Sequence, residues 1–157
     1  MRDRPDLEIE DEDGVRTMSS IGNGTEGLGE AVDAFYSALL AMFGGDAAPM
    51  KAAWWHDDDV SYMGPGGDHR VGWDEIASEW DRQASLDLGG QVTPERRHLL
   101  TGEDLAVFTC VETGANLVDG RTAPVSIRAS TVLRKRDGVW KVVAHQSDRL
   151  DHVAITS

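Results

Sequence analysis

The segment LAVFTCVETGANLVDGRTAPVSIRASTVLRKRDGVWKVVAHQSDRL, Leu105 to Leu150, decides the fold. Two Asp-Gly pairs, Asp119-Gly120 and Asp137-Gly138, divide it into three β-rich runs. Such a pair is the strongest short-range hairpin signal, because both turn residues need positive φ and glycine supplies it without steric cost. The runs predict strands from Leu105 to Val118, Thr122 to Arg136 and Val139 to Asp148. Each exceeds the common length of about five or six residues. Strands this long twist and curl, and Gly114 and Pro124 are natural places for a bulge or bend. A curled sheet has a concave face that needs a cover.

Upstream segments supply that cover. From Thr25 to Phe43 the apolar residues Leu28, Val32, Phe35, Leu39 and Met42 recur at helical spacing, with Ala31, Tyr36, Leu40 and Phe43 widening the stripe. Thr25 is the expected cap and Gly44-Gly45 the stop. Asp46 caps a shorter helix through Trp55, and Asp57-Asp58-Asp59 reads as a solvated turn rather than a cation site. Val60–Met63 and His69–Val71 form a short hairpin around Gly64-Pro65-Gly66-Gly67. A third helix runs from Trp73 to about Ser85, with Trp73, Ile76 and Trp80 on one face and Asp74, Glu75, Glu79 and Asp81 opposite. Gln91–Leu100 is a further strand. The sum is α+β, three helices packed on a curved, mostly antiparallel sheet.

Composition bounds the function. The chain has 157 residues, 28 acidic against 15 basic, and a net charge of −13, which repels nucleic acid and anionic membrane. No apolar run reaches the ~20 residues that span a bilayer, and the start is acidic where a signal peptide is basic, so the expected location is cytoplasmic. Seven of the first thirteen residues are Asp or Glu. Residues 1–24 are therefore expected to be a disordered acidic tail, and 25–150 the folded domain. Cys110 stands alone in an apolar strand and reads as a small buried hydrophobe. The five histidines form no metal-binding cluster, so no metal and no cofactor are expected.

Three stretches carry a resemblance. Val60-Ser-Tyr-Met-Gly-Pro, Gly72-Trp-Asp-Glu-Ile-Ala-Ser-Glu-Trp, and the ending from Arg128 through Asp137-Gly138-Val-Trp to His145-Gln-Ser resemble the SnoaL-like group of the NTF2-like superfamily over roughly residues 26–149. The resemblance implies a cone-shaped α+β fold, a homodimer through the outer sheet face, and an apolar pocket between helices and concave sheet. It implies no single activity, since members include ketosteroid isomerases, polyketide cyclases and dehydratases. It further suggests that Arg128 and His145 face the cavity.

By strand parity, Arg128, Ser130 and Val132 share one face of their strand, while Val143, His145 and Ser147 oppose Trp140, Val142, Ala144 and Gln146. The bland alternative makes Arg128 a surface cation and His145 a cross-strand or interface residue. Trp54, Tyr62, Met63 and Trp80 are the expected pocket wall. His145, Glu112 and Arg128 are the expected catalytic groups, with Tyr36, Tyr62 or Ser130 as donors to a carbonyl and His98 or His69 as further polar lining. Such a set suits cofactor-free isomerisation, cyclisation or dehydration of a small apolar carbonyl compound; the alternative is a non-catalytic ligand-binding or dimerising module. A true ketosteroid isomerase is not expected. The alignment puts Met63 or Gly64 where its base stands, Phe35 at its tyrosine, and Val132 or Ser130 at its protonated aspartate.

Overall fold

The computed structural model describes residues 24–149. Along the chain come α1 (Leu28–Phe43), α2 (Ala48–Ala52), β1 (Ser61–Met63), β2 (His69–Val71), α3 (Trp73–Leu86), β3 (Gln91–Thr101), β4 (Leu105–Val118), β5 (Arg121–Arg136) and β6 (Val139–Arg149). This is the α+β order read from the sequence. The strands form one six-stranded sheet in the order β2-β1-β6-β5-β4-β3, antiparallel throughout except where β1 runs parallel to β6.

Both Asp-Gly turns adopt the predicted geometry. Asp119 and Gly120 have φ of 52° and 75°, and Asp137 and Gly138 have 53° and 79°. Positive φ at both central residues gives a turn whose twist matches that of the flanking strands, and the β4–β5 register stays unbroken from Leu105↔Arg134 to Val118↔Arg121. Pro124 pairs with Ala115 where the described part of β6 no longer runs alongside, since β6 ends opposite Ile127. A residue without an N–H costs nothing on that open side. Gly114 has φ of 150°, and a Cβ there would collide with the Gln91 carbonyl of β3.

Two register breaks shape the sheet. Between Glu95 and His98 the pairing of β3 slips against β4, with Arg96 at φ of 55°. Val132 pairs with Ala144 and Leu133 with Val142, so Val143 is the extra residue of a bulge in β6. The bulge changes the phase of β6, and Trp140, Val142, Val143, His145 and Ser147 are all buried. Simple alternation had set Trp140 and Val142 opposite His145; the bulge brings both phases to the inner side.

Leu28, Val32, Phe35 and Met42 of α1, Met50 of α2, and Ile76 and Trp80 of α3 pack with Trp54, Leu133 and Val142 into one core on the concave side. Several local expectations are corrected. α1 begins at Leu28 after left-handed Gly27 rather than at Thr25, whose carbonyl accepts the Leu28 N–H. The N-cap of α2 is Ala47 rather than Asp46, whose Oδ1 accepts the Ala48 N–H from one residue further back, and the helix ends at Ala52 instead of Trp55. The Ala53 carbonyl accepts the Val142 N–H and the Val142 carbonyl accepts the Trp55 N–H, and these sheet-like bonds draw Trp54 inward. The Asp57–Asp59 turn is not merely solvated, because Asp57 holds Arg134 and Arg136 and Asp59 holds Arg134. Of the expected tail, residues 1–23 lie outside the described residues. No described helix is long and apolar enough to cross a membrane.

Candidate functional site

The concave face of the sheet and the three helices enclose a cavity of about 130 Å³. Its walls are mostly apolar: Phe35, Leu39 and Met42 from α1, Trp80 from α3, Val92 from β3, and Val125 and Ile127 from β5. Polar lining is confined to Tyr62, Gln83, Glu112, Asn116, His145 and Ser147. The cavity opens toward a shallower hollow that shares Pro65, Leu88, Asn116, Val125 and Ile127 with it.

Register explains how the polar residues meet. Glu112 lies opposite Ile127 on β5, and Thr131 lies opposite His145 on β6, so all four share the inner face. Tyr62 on β1 pairs with His145 and shares that face too. Glu112 and His145 are 5% and 6% exposed, and His145 Nε2 stands 3.8 Å from Glu112 Oε2. The Tyr36 hydroxyl of α1 donates to Glu112 Oε2 at 2.8 Å and touches Cys110 Sγ at 3.2 Å. Thr131 Oγ1 lies 2.8 Å from His145 Nδ1. Phe35 packs on the imidazole at 4.8 Å between ring centres, and Tyr62 lies nearly parallel to it at 6.1 Å.

Burial controls the protonation of these groups. Loss of water lowers His145 to about 4, so the imidazole is neutral at pH 7. The same desolvation raises the Glu112 carboxyl above its usual range, against a smaller downward pull from the Tyr36 hydrogen bond. Tyr36 is raised by burial and by the neighbouring Glu112 and keeps its proton. Burial pushes Tyr62 up to about 12. An apolar chamber thus holds a neutral base beside a carboxyl group with a raised affinity for protons, a pairing suited to moving one proton between two positions.

The structure divides the expected site residues. Glu112, His145, Tyr62 and Trp80 line the cavity. Trp54 lies behind Trp80 in the core, 5.5 Å away between ring centres, and forms no part of the lining. Arg128 and Ser130 face away from the cavity: Arg128 pairs with Asp148 and Ser130 with Gln146, on the outer side of the sheet. Met63 also pairs with Gln146, and exposed His98 pairs with Thr109, both off the cavity. His69 is exposed on the edge strand β2. The correction for Arg128 has a plain cause. Residues directly opposite across a ladder share a face, and His145 is opposite Thr131, an odd number of residues from Arg128.

Thr131 and Gln83 are contacts that sequence reasoning missed, and Glu79 was assigned to the wrong face of its helix. Glu79 is 2% exposed, clasped by Arg82, Arg70 and Gln83. Burial pushes its carboxyl up, but these partners outweigh that and hold it below the usual range. Its helical spacing from Ile76 and Gln83 was the available signal. Among the described residues no group of three His, Cys, Asp or Glu side chains is placed to hold a metal.

This architecture, helices over the concave side of a curved, unclosed sheet, is the NTF2-like fold. The chain belongs to the SnoaL-like domain family, whose model matches residues 29–148. An NTF2-like protein with a cystatin-like fold from Novosphingobium aromaticivorans superposes with a TM-score of 0.70 at 18% identity, covering 97% of this chain and 95% of its own. A candidate dehydratase of the NTF2-like family from Streptomyces avermitilis gives 0.68 at 22%, with 79% and 94% covered. A ketosteroid isomerase-like protein from Erwinia carotovora atroseptica gives 0.66 at 24%, with 80% and 98% covered. A search of the curated proteins finds no match. At these identities the similarity of the solved structures shows the shared fold alone.

Proposed function

We propose that the domain is a cofactor-independent proton-transfer enzyme, of the isomerase, cyclase or dehydratase type, acting on a small apolar carbonyl compound. The observation that carries this reading is the Glu112–His145 pair, 3.8 Å apart and buried in an otherwise apolar chamber. Burying two ionisable groups is costly unless each is satisfied, and the supports given by Tyr36 and Thr131 hold both in fixed orientations. With Nδ1–H donated to Thr131, His145 keeps the Nε2 lone pair toward Glu112 and the cavity, as a general base requires. Glu112, its affinity for a proton raised by burial and its carboxyl steadied by Tyr36, is the matching acid. The cavity suits a compound of about one ring, since an apolar cavity of about 150 Å³ takes up benzene. Arg128, an expected catalytic group, has no part in this chemistry.

The test is hydrogen exchange at the carbon next to the carbonyl of cyclopentanone and cyclohexanone in D₂O, followed by proton NMR. The protein should accelerate exchange, and His145→Ala should lower the rate by about 10²–10⁴-fold. Exchange at the buffer rate, or equal rates in wild type and His145→Ala, would sink the reading.

The expected homodimer belongs to this proposal as well. On the outer face Val107, Val111 and Ala144 are half-buried beside Arg128, Ser130 and Gln146, and among the described residues no helix covers them. Light scattering at micromolar concentration should give a two-chain mass; a one-chain mass removes this part.

A further inference from the structure

Tyr62 sits on the cavity wall beside His145, and its hydroxyl is held from behind. Gln83 Nε2 lies 2.7 Å from Glu79 Oε2. A carboxylate can accept but not donate, so this contact fixes which end of the Gln83 amide is the nitrogen. The same nitrogen donates its other hydrogen to the Tyr62 oxygen at 3.1 Å. Glu79 is in turn immobilised by Arg82, at 3.1 and 2.7 Å, and by Arg70 at 3.1 Å. The Tyr62 oxygen is therefore an acceptor within the wall, and its own proton is left to be donated.

Among the described residues nothing accepts that proton, although Tyr62 is only 6% exposed. A buried hydroxyl without an acceptor costs free energy that a ligand's oxygen would relieve. Gly64 packs closely against the Tyr62 ring and hydroxyl, where a Cβ would collide with both, so the phenol is also held from the β1–β2 turn. Burial pushes the phenol up to about 12, so it remains a donor at neutral pH.

We propose that Tyr62 is the hydrogen-bond donor that holds the carbonyl oxygen of the substrate, and that Gln83, fixed by Glu79, is its positioning residue. This rests on the proton-transfer reading and assigns the substrate's orientation. With the oxygen on Tyr62, the adjacent carbon lies toward His145. His145 removes a proton from that carbon, the C–H electron pair becomes a carbon–carbon double bond, and the carbonyl π pair moves onto oxygen. The Tyr62 donation stabilises that negative charge. In a substrate with a carbon–carbon double bond β,γ to the carbonyl the charge spreads over the resulting dienolate, and returning the proton from His145 to the γ-carbon moves the double bond into conjugation with no net gain or loss of atoms or electrons; in a saturated ketone the proton returns to the same carbon and the step is read as exchange.

Cyclohexanone labelled with ¹³C at the carbonyl is the probe, read by infrared difference spectroscopy and by its dissociation constant. Bound to the wild-type protein, its carbonyl stretch should shift to lower frequency than in an apolar solvent. Tyr62→Phe should abolish the shift and weaken binding about 3- to 10-fold, the worth of one hydrogen bond. Gln83→Leu keeps the phenol but should broaden and reduce the shift. A shift that survives in Tyr62→Phe, or no saturable binding of the probe, overturns the assignment of the donor. An unchanged spectrum in Gln83→Leu overturns the positioning role. The proton-transfer reading stands or falls separately, on whether exchange depends on His145.

Discussion

On β5, Arg128 and Thr131 stand three residues apart and live in opposite surroundings. Thr131 is 2% exposed and touches a buried imidazole, while Arg128 lies exposed on the outer side with Ser130, Gln146 and Asp148. On the inner face the two buried ionisable groups are each held by a neighbour, Glu112 by Tyr36 and His145 by Thr131. The outer face mixes Arg, Ser, Gln and half-buried Val without such constraints. Adjacent positions of one strand therefore carry different penalties for the same side chain, and the face rather than the residue type decides the role.

The contrast is most easily broken in the core. Leu133 is fully buried on the inner side, paired with Ala106 and Val142. Leu133→Ala should destabilise by about 2–5 kcal/mol, read as a lower denaturant midpoint with an unchanged slope. A loss below about 1 kcal/mol would show that the inner face collapses around the gap and is less rigidly packed than described.

A smaller effect follows from protonation. The folded-state value of His145, about 4, lies below the ordinary 6.5, so the unfolded chain binds its proton first as pH falls. The stability from a neutral buried imidazole is present above pH 6.5 and is lost on acidification toward 4. Glu112 works the other way: its raised carboxyl binds a proton more readily in the folded chain, and its contribution falls as pH rises. The lowered Asp57, Asp59 and Glu79 act only below their ordinary values of 3.8 to 4.5. In Glu112→Gln, therefore, stability should drop by about 2 kcal/mol between pH 6.5 and 4.5. Adding His145→Gln should flatten that slope, and a slope that persists would place its origin elsewhere.

The smallest change is expected outside. Arg128→Ala should move the stability of a single chain by no more than about 0.5 kcal/mol and leave ketone exchange untouched. A large loss of exchange in that variant, with the melting temperature unchanged, would return Arg128 to the chemistry and collapse the distinction between the faces.

Much of the architecture was legible because its signals are local. Asp-Gly pairs fix two turns through the φ freedom of two residues, and helical periodicity in Leu28, Val32, Phe35 and Met42 marks one buried stripe. His145 and Glu112 were recognisable as polar exceptions in apolar strands and were grouped as one catalytic set, but with Arg128 included in it. Their meeting depends on long-range register. A single bulge residue, Val143, resets the phase of β6, and no local pattern in Val142-Val143-Ala144 shows which of them is the extra one. The same register turned Arg128 outward. Gln83 and Glu79 were hidden for a related reason: a glutamate on a helix reads as solvent-facing until Arg70, from another element, folds over it. The sequence alone thus carried turns, helices and the α+β class, which are set within a few residues. Only the folded sheet chose the face of each strand residue, because cross-strand pairing joins positions far apart in the chain.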